Sequence, residues 1–275
     1  MQNQLEKNKI VVEFLTIQGG SMLSRRNFIK NCAAAAVILS GSGVLSQFNT
    51  GIASAELGIP VLCYHRVGDT TGHLTITPDK FATDLSRLRD EGYETISLET
   101  FRQYRQDPEI PMPDKPLLIT FDDGYLDNYL NAFLLLRQYG MTAAFFIITS
   151  LVGTPDRLAV GHIREMAAGG MSIGSHTVSH RELGEMGVAE AANEMSLSRL
   201  YLEGILQQPI RYIAYPRGSF NESTPAVANE AAYWGGFSVL NGTCSRGTNP
   251  YILRRIPVFS FDGDIIRTMN KRRYG

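Results

Sequence analysis

From Glu56 onward, short apolar runs alternate with amphipathic stretches, and the period of each assigns its element. Residues 59–64 are apolar with hardly a break, the mark of a strand covered on both faces. Thr77-Pro78-Asp79 predicts a helix start, with Thr77 as N-cap and Pro78 in the first turn. Phe81, Leu85 and Leu88 follow at i, i+4 and i+7 on one helical face. Residues 93–96 read as a short strand, and Pro111 and Pro113 punctuate a loop. An apolar strand over 117–121 ends in Asp122-Asp123-Gly124. A helix over 125–139, closed by Gly140, and another apolar strand over 142–148 come next. Residues 163–168 are helical and 171–173 strand-like, and 175–180 form a loop. A long helix runs from about 188 to 206 with Val188, Ala192, Met195, Leu202 and Leu206 inward. Strands over 211–214, 236–240 and 252–259 complete the pattern, with a helix over 222–232 after the first of them.

Strands that are apolar along their length and alternate with helices predict a parallel sheet covered by helices. About seven such units without a break in composition favour a closed or nearly closed β/α barrel over an open doubly wound sheet. No glycine-rich phosphate loop follows any strand, which argues against nucleotide binding. In such barrels chemistry sits at the C-terminal strand ends. The polar clusters fall there: Tyr64-His65-Arg66, Asp122-Asp123, Ser175-His176 and Tyr215-Pro216-Arg217-Gly218.

Composition narrows the partners. The 275 residues are 44% hydrophobic and 19% charged with a formal net charge of -1, ordinary for a soluble globular protein. Residues 56–275 alone carry a net of -4, which gives nucleic-acid binding no support. The basic run Arg267, Lys271, Arg272 and Arg273 reads as a solvated helix end. Of three cysteines, Cys32 lies near the N-terminus, and Cys63 and Cys244 read as two free buried thiols rather than a bridge.

Residues 1–55 read as an address rather than as fold. Ser24-Arg25-Arg26-Asn27-Phe28-Ile29-Lys30 precedes an apolar run over 32–45, and Ala53-Ser54-Ala55 offers a small-residue cleavage site after Ala55. The paired arginines resemble the twin-arginine export type. The run is too short and too interrupted by Gly and Ser for a stable membrane span. The expectation is a cleaved signal and an exported mature protein over 56–275, periplasmic or extracellular and associated with the cell envelope. Signals begin close to their charged region, so Met22 competes with Met1 as the start.

His176 and His180 stand four residues apart, a spacing that on a helix or tight turn points both imidazoles the same way, as divalent-metal ligands require. A carboxylate would complete a site with open positions. Asp122 and Asp123 diverge at a strand end, so one can ligate while the other faces substrate. A proton donor for a leaving group would be a further histidine, and the remaining ones are His65, His73 and His162. His65 ends an apolar strand, whereas His73 lies in a Thr/Gly-rich loop and His162 at a helix start.

Thr120-Phe121-Asp122-Asp123-Gly124 and Ser175-His176-Thr177-Val178-Ser179-His180, the latter preceded by Ile173-Gly174, resemble the first two motifs of the polysaccharide deacetylase family, carbohydrate esterase family 4 with its NodB-like domain. The resemblance implies Asp122 as general base, and Asp123, His176 and His180 as ligands of zinc or a similar divalent ion. Tyr215-Pro216-Arg217-Gly218 falls at the third motif but departs from it, with Ala214 at the family's arginine position and Arg217 at its tyrosine position. A backbone N–H of Arg217 can still serve an oxyanion, and Tyr215 and Arg217 become candidate substrate contacts. Tyr64-His65-Arg66 near the start of the domain resembles the poly-β-1,6-N-acetylglucosamine deacetylase branch, which implies a circularly permuted, distorted (β/α)7-type barrel with His65 as general acid. Arg255, rather than its neighbour Arg254, looks like the arginine that holds and tunes the base. The implied activity is removal of N-acetyl groups from an acetylated polysaccharide. The competing expectations are an O-acetyl esterase with the same apparatus and a noncatalytic glycan-binding relative.

Overall fold

The computed structural model describes residues 58–274, so the export signature and its cleavage site lie outside the described residues. Seven parallel segments build a ring. They begin with β1 (Ile59–Tyr64), which continues past His65 into a two-stranded flap of β2 (Arg66–Val67) and β3 (Thr75–Ile76). Helix α1 (Pro78–Asp90), β4 (Glu94–Thr95) and α2 (Leu98–Gln106) lead into β5 (Pro116–Phe121). Then come α3 (Leu134–Gln138), β6 (Ala144–Ile147), α4 (Val160–Ala168), β7 (Ser172–Ser175), α5 (Val188–Leu206) and β8 (Tyr212–Ala214). The chain ends with α6 (Thr224–Glu230), β9 (Gly235–Phe237), β10 (Thr243–Cys244), β11 (Ile256–Pro257) and α7 (Ile265–Arg272).

β1, β5, β6, β7, β8 and β9 pair in parallel in that order. The last segment closes the ring. Leu253 N donates to Gly236 O at 2.8 Å and Ser238 N to Leu253 O at 2.9 Å, joining it to β9. Three residues later β11 pairs with β1 at Leu62↔Ile256. The expected strand over 252–259 is therefore mostly irregular, because it must serve β9 with its first half and β1 with its second. β10 runs antiparallel against the start of β1, which makes the sheet mixed.

Alternation along each strand divides the core into two layers. Ile59, Val61, Leu118, Ala144, Phe146, Tyr212, Ala214, Phe237 and Leu253 form one cluster inside the ring, and Leu62, Tyr64, Ile119, Phe121, Phe145, Ile147, Ile213 and Tyr215 pack outward under the helices. The sequence pattern did not anticipate α2. Ser97 caps it by accepting from Thr100 N at 3.0 Å, and Leu98, Phe101 and Tyr104 insert into the inner cluster. Each such buried side chain contributes about 1.5–3 kcal/mol. Gly174 is required inside the ring: a Cβ there would lie 2.4 Å from the Phe146 ring.

The helix expected over 125–139 is instead a widened π turn over Asn128–Phe133 running into α3. That turn brings Asn128 and Asn131 within reach of β1 and the flap, where their amides donate to His65 O at 2.8 Å and Val67 O at 2.7 Å. Among the basic residues near the end, Arg272 is not solvated: it pairs with Asp262 at 2.6 Å and lies over the Phe259 ring.

Candidate active site

One or two more residues of inward parity carry each of four strands from core to chemistry. From Val61 the count reaches Cys63 and His65, from Leu118 it reaches Thr120 and Asp122, from Gly174 it reaches His176, and from Leu253 it reaches Arg255. One periodicity therefore delivers six polar side chains to one end of the ring.

Arg255 is fully buried and grips Asp122 with two parallel bonds, Nη1 to Oδ1 and Nη2 to Oδ2, each 2.8 Å. Its Nε donates to Ser238 O at 2.8 Å, which fixes the guanidinium plane. The Cys63 thiol donates to Asp122 Oδ2 at 3.6 Å. Burial is the largest single influence and works to raise the Asp122 carboxyl, but the charge and hydrogen bonds of Arg255, with His176 and His65, together outweigh it and hold the group below its ordinary range. Asp122 is thus an ionised, rigidly held carboxylate. Leaving one partner of such a buried pair unmatched costs about 3–5 kcal/mol. Arg254 points the other way, exposed and bonded to Asn241 O, as parity requires.

Asp123 turns away from Asp122 because its backbone is left-handed, φ 74°. Its Oδ1 lies 3.4 Å from His176 Nε2 and 3.3 Å from His180 Nε2, yet this buried oxygen has no hydrogen-bond partner. His176 Nδ1 lies 2.7 Å from Ala214 O and donates to it, so Nε2 presents a lone pair toward Asp123. Lone pairs facing one another across a small gap call for a cation. Burial alone would make His176 harder to protonate, but Asp122 and Asp123 reverse that and raise its pKa above the ordinary 6.5. The three ligand atoms all lie within 4.8 Å of one another, and a carboxylate with two imidazoles fits a divalent ion.

His176 and His180 converge through a turn, not a helix. Thr177 and His180 both have positive φ, 66° and 62°. The Thr177 side chain accepts from His180 N at 3.0 Å, and Glu194 of α5 accepts from Val178 N and Ser179 N at 2.8 and 2.9 Å. Such backbone costs about 1–3 kcal/mol per residue and persists where surroundings impose it, characteristically at functional sites.

His65 stands at the tip of β1, one of its ring nitrogens within 4.8 Å of an Asp122 oxygen and of Cys63 Sγ. Its Nδ1 is buried without a partner. Burial lowers its pKa below the ordinary 6.5, and Asp122 and Asp123 pull back only in part. His73 and His162 lie elsewhere, against Phe259 and Tyr129.

Arg217 is at the margin. Its backbone is left-handed, φ 55°, and its side chain, 73% exposed, lies 3.2 Å from Glu182. Together with His180, Arg181, Glu182, Glu185 and Met186 it lines a cleft of about 310 Å³. Tyr215 does not join the site. Its outward parity buries the ring under the helices, its hydroxyl donates to Tyr251 O at 2.9 Å, and its N–H donates to Phe237 O. It has no donor left for an oxyanion, and its role is structural. Sequence reasoning missed Cys63 and Thr120, which the same parity count marks, and Glu194, for which no local signal exists.

A polysaccharide deacetylase family model matches residues 109–235. YxkH of Bacillus subtilis strain 168, a protein named for polysaccharide deacetylases, is 34% identical over 201 residues, 73% of this chain and 71% of its own. The poly-β-1,6-N-acetyl-D-glucosamine N-deacetylase of Staphylococcus aureus strain MRSA252 is 26% identical over 196 residues, 66% of this chain and 67% of its own. The solved structure of Streptococcus pyogenes deacetylase PplD in complex with acetate superposes with a TM-score of 0.73 at 31% identity, covering 77% of this chain and 98% of that one.

Proposed function

The chain belongs to the polysaccharide deacetylase family, and on that premise we propose that it hydrolyses N-acetyl groups of an N-acetylglucosamine-containing polysaccharide, releasing acetate. Asp123, His176 and His180 would hold a divalent ion, for which zinc suits the donor set best. One observation carries the reading: a partnerless buried carboxylate oxygen faces two imidazoles beside a second carboxylate clamped by arginine. The Staphylococcus aureus relative supports the N-acetylglucosamine substrate, and the acetate complex of PplD supports the product.

When bound, the ion would supply Lewis acidity, polarising the acetyl carbonyl and lowering the pKa of a water. Asp122 accepts the proton of the attacking water. Arg255 keeps that carboxylate ionised and oriented, so it is a base before substrate arrives. His65, across from Asp122, gives a proton to the departing nitrogen. Arg217 at the cleft edge is placed for contact with the sugar or the developing oxyanion.

Acetate release from acetylated oligosaccharides, with metal analysis of the same samples, tests this. Asp122→Asn should lower turnover by about three orders of magnitude or more while metal content stays intact. His176→Ala should lose the metal. Near-normal turnover in the first variant, or full occupancy in the second, refutes the assigned roles. No helix among the described residues is long and apolar enough to cross a membrane. Export of the folded enzyme to the cell envelope is part of the proposal, supported by Arg25-Arg26 and the following apolar run. Cell fractionation that finds the enzyme in the cytosol refutes that part.

A further inference from the structure

Five of the seven non-glycine residues with positive φ among those described cluster around the site: Asp123, Asp156, Thr177, His180 and Arg217. Thr177 and His180 are held by several bonds, from their own turn, from α5 and from residues 149–150, where Thr149 N donates to Thr177 O at 3.1 Å. Asp123 is braced by a single loop, residues 156–158, more than thirty residues away. Leu158 N donates to Gly124 O at 3.0 Å, and Leu126 N donates to Asp156 O at 3.1 Å. Tyr125 and Arg157 form an antiparallel bridge between these two contacts. Arg157 then reaches inward: Nη1 donates to the backbone oxygen of Asp123 at 2.9 Å, and its guanidinium carbon lies 3.9 Å from the centre of the Tyr125 ring. Arg66, beside His65, lies 4.2 Å from the same ring and is matched by Asp127 at 2.7 Å and Asp156 at 2.8 Å. Among the described residues no carboxylate pairs with Arg157, so its directed contact is the Asp123 carbonyl.

We propose that Arg157 is a positioning residue for the metal site: by fixing the Asp123 carbonyl it holds the left-handed backbone that turns the Asp123 carboxylate toward His176 and His180. The geometry is specific. Arg157 restrains the peptide plane that follows Asp123, and with φ at 74° that plane accompanies a carboxylate oxygen 3.4 and 3.3 Å from the His176 and His180 imidazoles. Without the anchor, Asp123 relaxes toward the right-handed or extended region that a non-glycine residue prefers, and its carboxylate leaves the imidazoles. The Tyr125 ring keeps the guanidinium flat and in place. This inference rests on the reading of Asp123, His176 and His180 as metal ligands.

The test is zinc affinity of the purified protein, measured by competition with a chromophoric chelator, alongside thermal unfolding of the metal-free form. Cobalt(II) absorption serves as a coordination signature. Arg157→Ala should weaken zinc binding by about ten- to a hundredfold, the range seen when outer contacts of a metal ligand are lost. Its cobalt spectrum should change shape. Arg157→Lys, which keeps a donor within reach of the carbonyl, should recover part of the affinity. If Arg157→Ala does not fold, Arg157→Gln carries the same expectation, because it is too short to reach the carbonyl. Affinity within twofold of the unaltered chain in the folded variants, whatever happens to the melting temperature, overturns the proposal and leaves a loop staple. An unaltered chain that takes up no zinc or cobalt sinks the ligand assignment itself, and this inference with it.

Discussion

Burial sets the resting state of His65: desolvation lowers its pKa, and the nearby carboxylates restore only part of the loss. At neutral pH the imidazole rests uncharged, a strong acid once it gains a proton. An amide nitrogen leaves poorly without a proton, whereas an activated ester leaves unaided. His65→Ala should therefore cut turnover of N-acetylated oligosaccharide by about a hundredfold or more, and hydrolysis of 4-nitrophenyl acetate by much less. Equal losses on both substrates would remove His65 from the proton-donating role, and a mild loss on the glycan would favour O-acetyl esterase chemistry. The residue scale also separates Arg255 from Arg254. Neighbouring arginines are indistinguishable by composition, yet opposite parity buries one against Asp122 and leaves the other on the surface. The same rule removed Tyr215, whose place beside Arg217 in the chain says nothing of which side of the strand it faces.

At the scale of elements, close packing in β7 lies directly beneath His176, a proposed metal ligand. Gly174 lies two residues before His176 on the inner face, and a Cβ there would meet the Phe146 ring at 2.4 Å and Tyr212 O at 3.0 Å. Gly174→Ala forces the ring or the strand to shift, at a cost of about 1–3 kcal/mol. Because His176 moves with the strand, denaturant unfolding and zinc affinity should fall together. Unchanged stability would mean that the inner ring yields freely there. The π turn before α3 carries a similar lesson. Residues 125–139 have the apolar content of a helix, but Asp127, Asn128 and Asn131 all bond to residues 65–67. Those tertiary bonds favour a wider turn than local propensity selects. α2 escaped notice for the opposite reason: only three of its nine residues are buried, too few to dominate the pattern.

At the scale of the whole molecule, folding buries weak acids and so disfavours their ionised forms. Burial raises the Cys244 thiol from 9.0 to about 11, and the Tyr233 hydroxyl from 10.0 to about 12. Folded values above unfolded ones mean that these groups contribute stability below pH 9 and lose it as the pH climbs toward 11 and 12. Urea unfolding should show stability level from pH 7 to 8.5 and falling between pH 9 and 11, less steeply in Cys244→Ala. A flat profile to pH 11 would show that both groups ionise in the native state as readily as in the unfolded chain. Cys63 and Cys244 are both free and buried, so no bridge complicates that measurement. Most of the alternating strands and helices and the polar strand tips were legible from the sequence alone, because periodicity and adjacency are local properties of a chain, and the motif resemblance marked Asp123, His176 and His180 as the proposed ligand trio. Ring closure through an irregular last segment, the bidentate geometry by which Arg255 holds Asp122, the Arg157 contact and the exclusion of Tyr215 belonged to the tertiary structure. Each joins, or parts, residues far apart in the chain, and only the packed ring sets which of them meet.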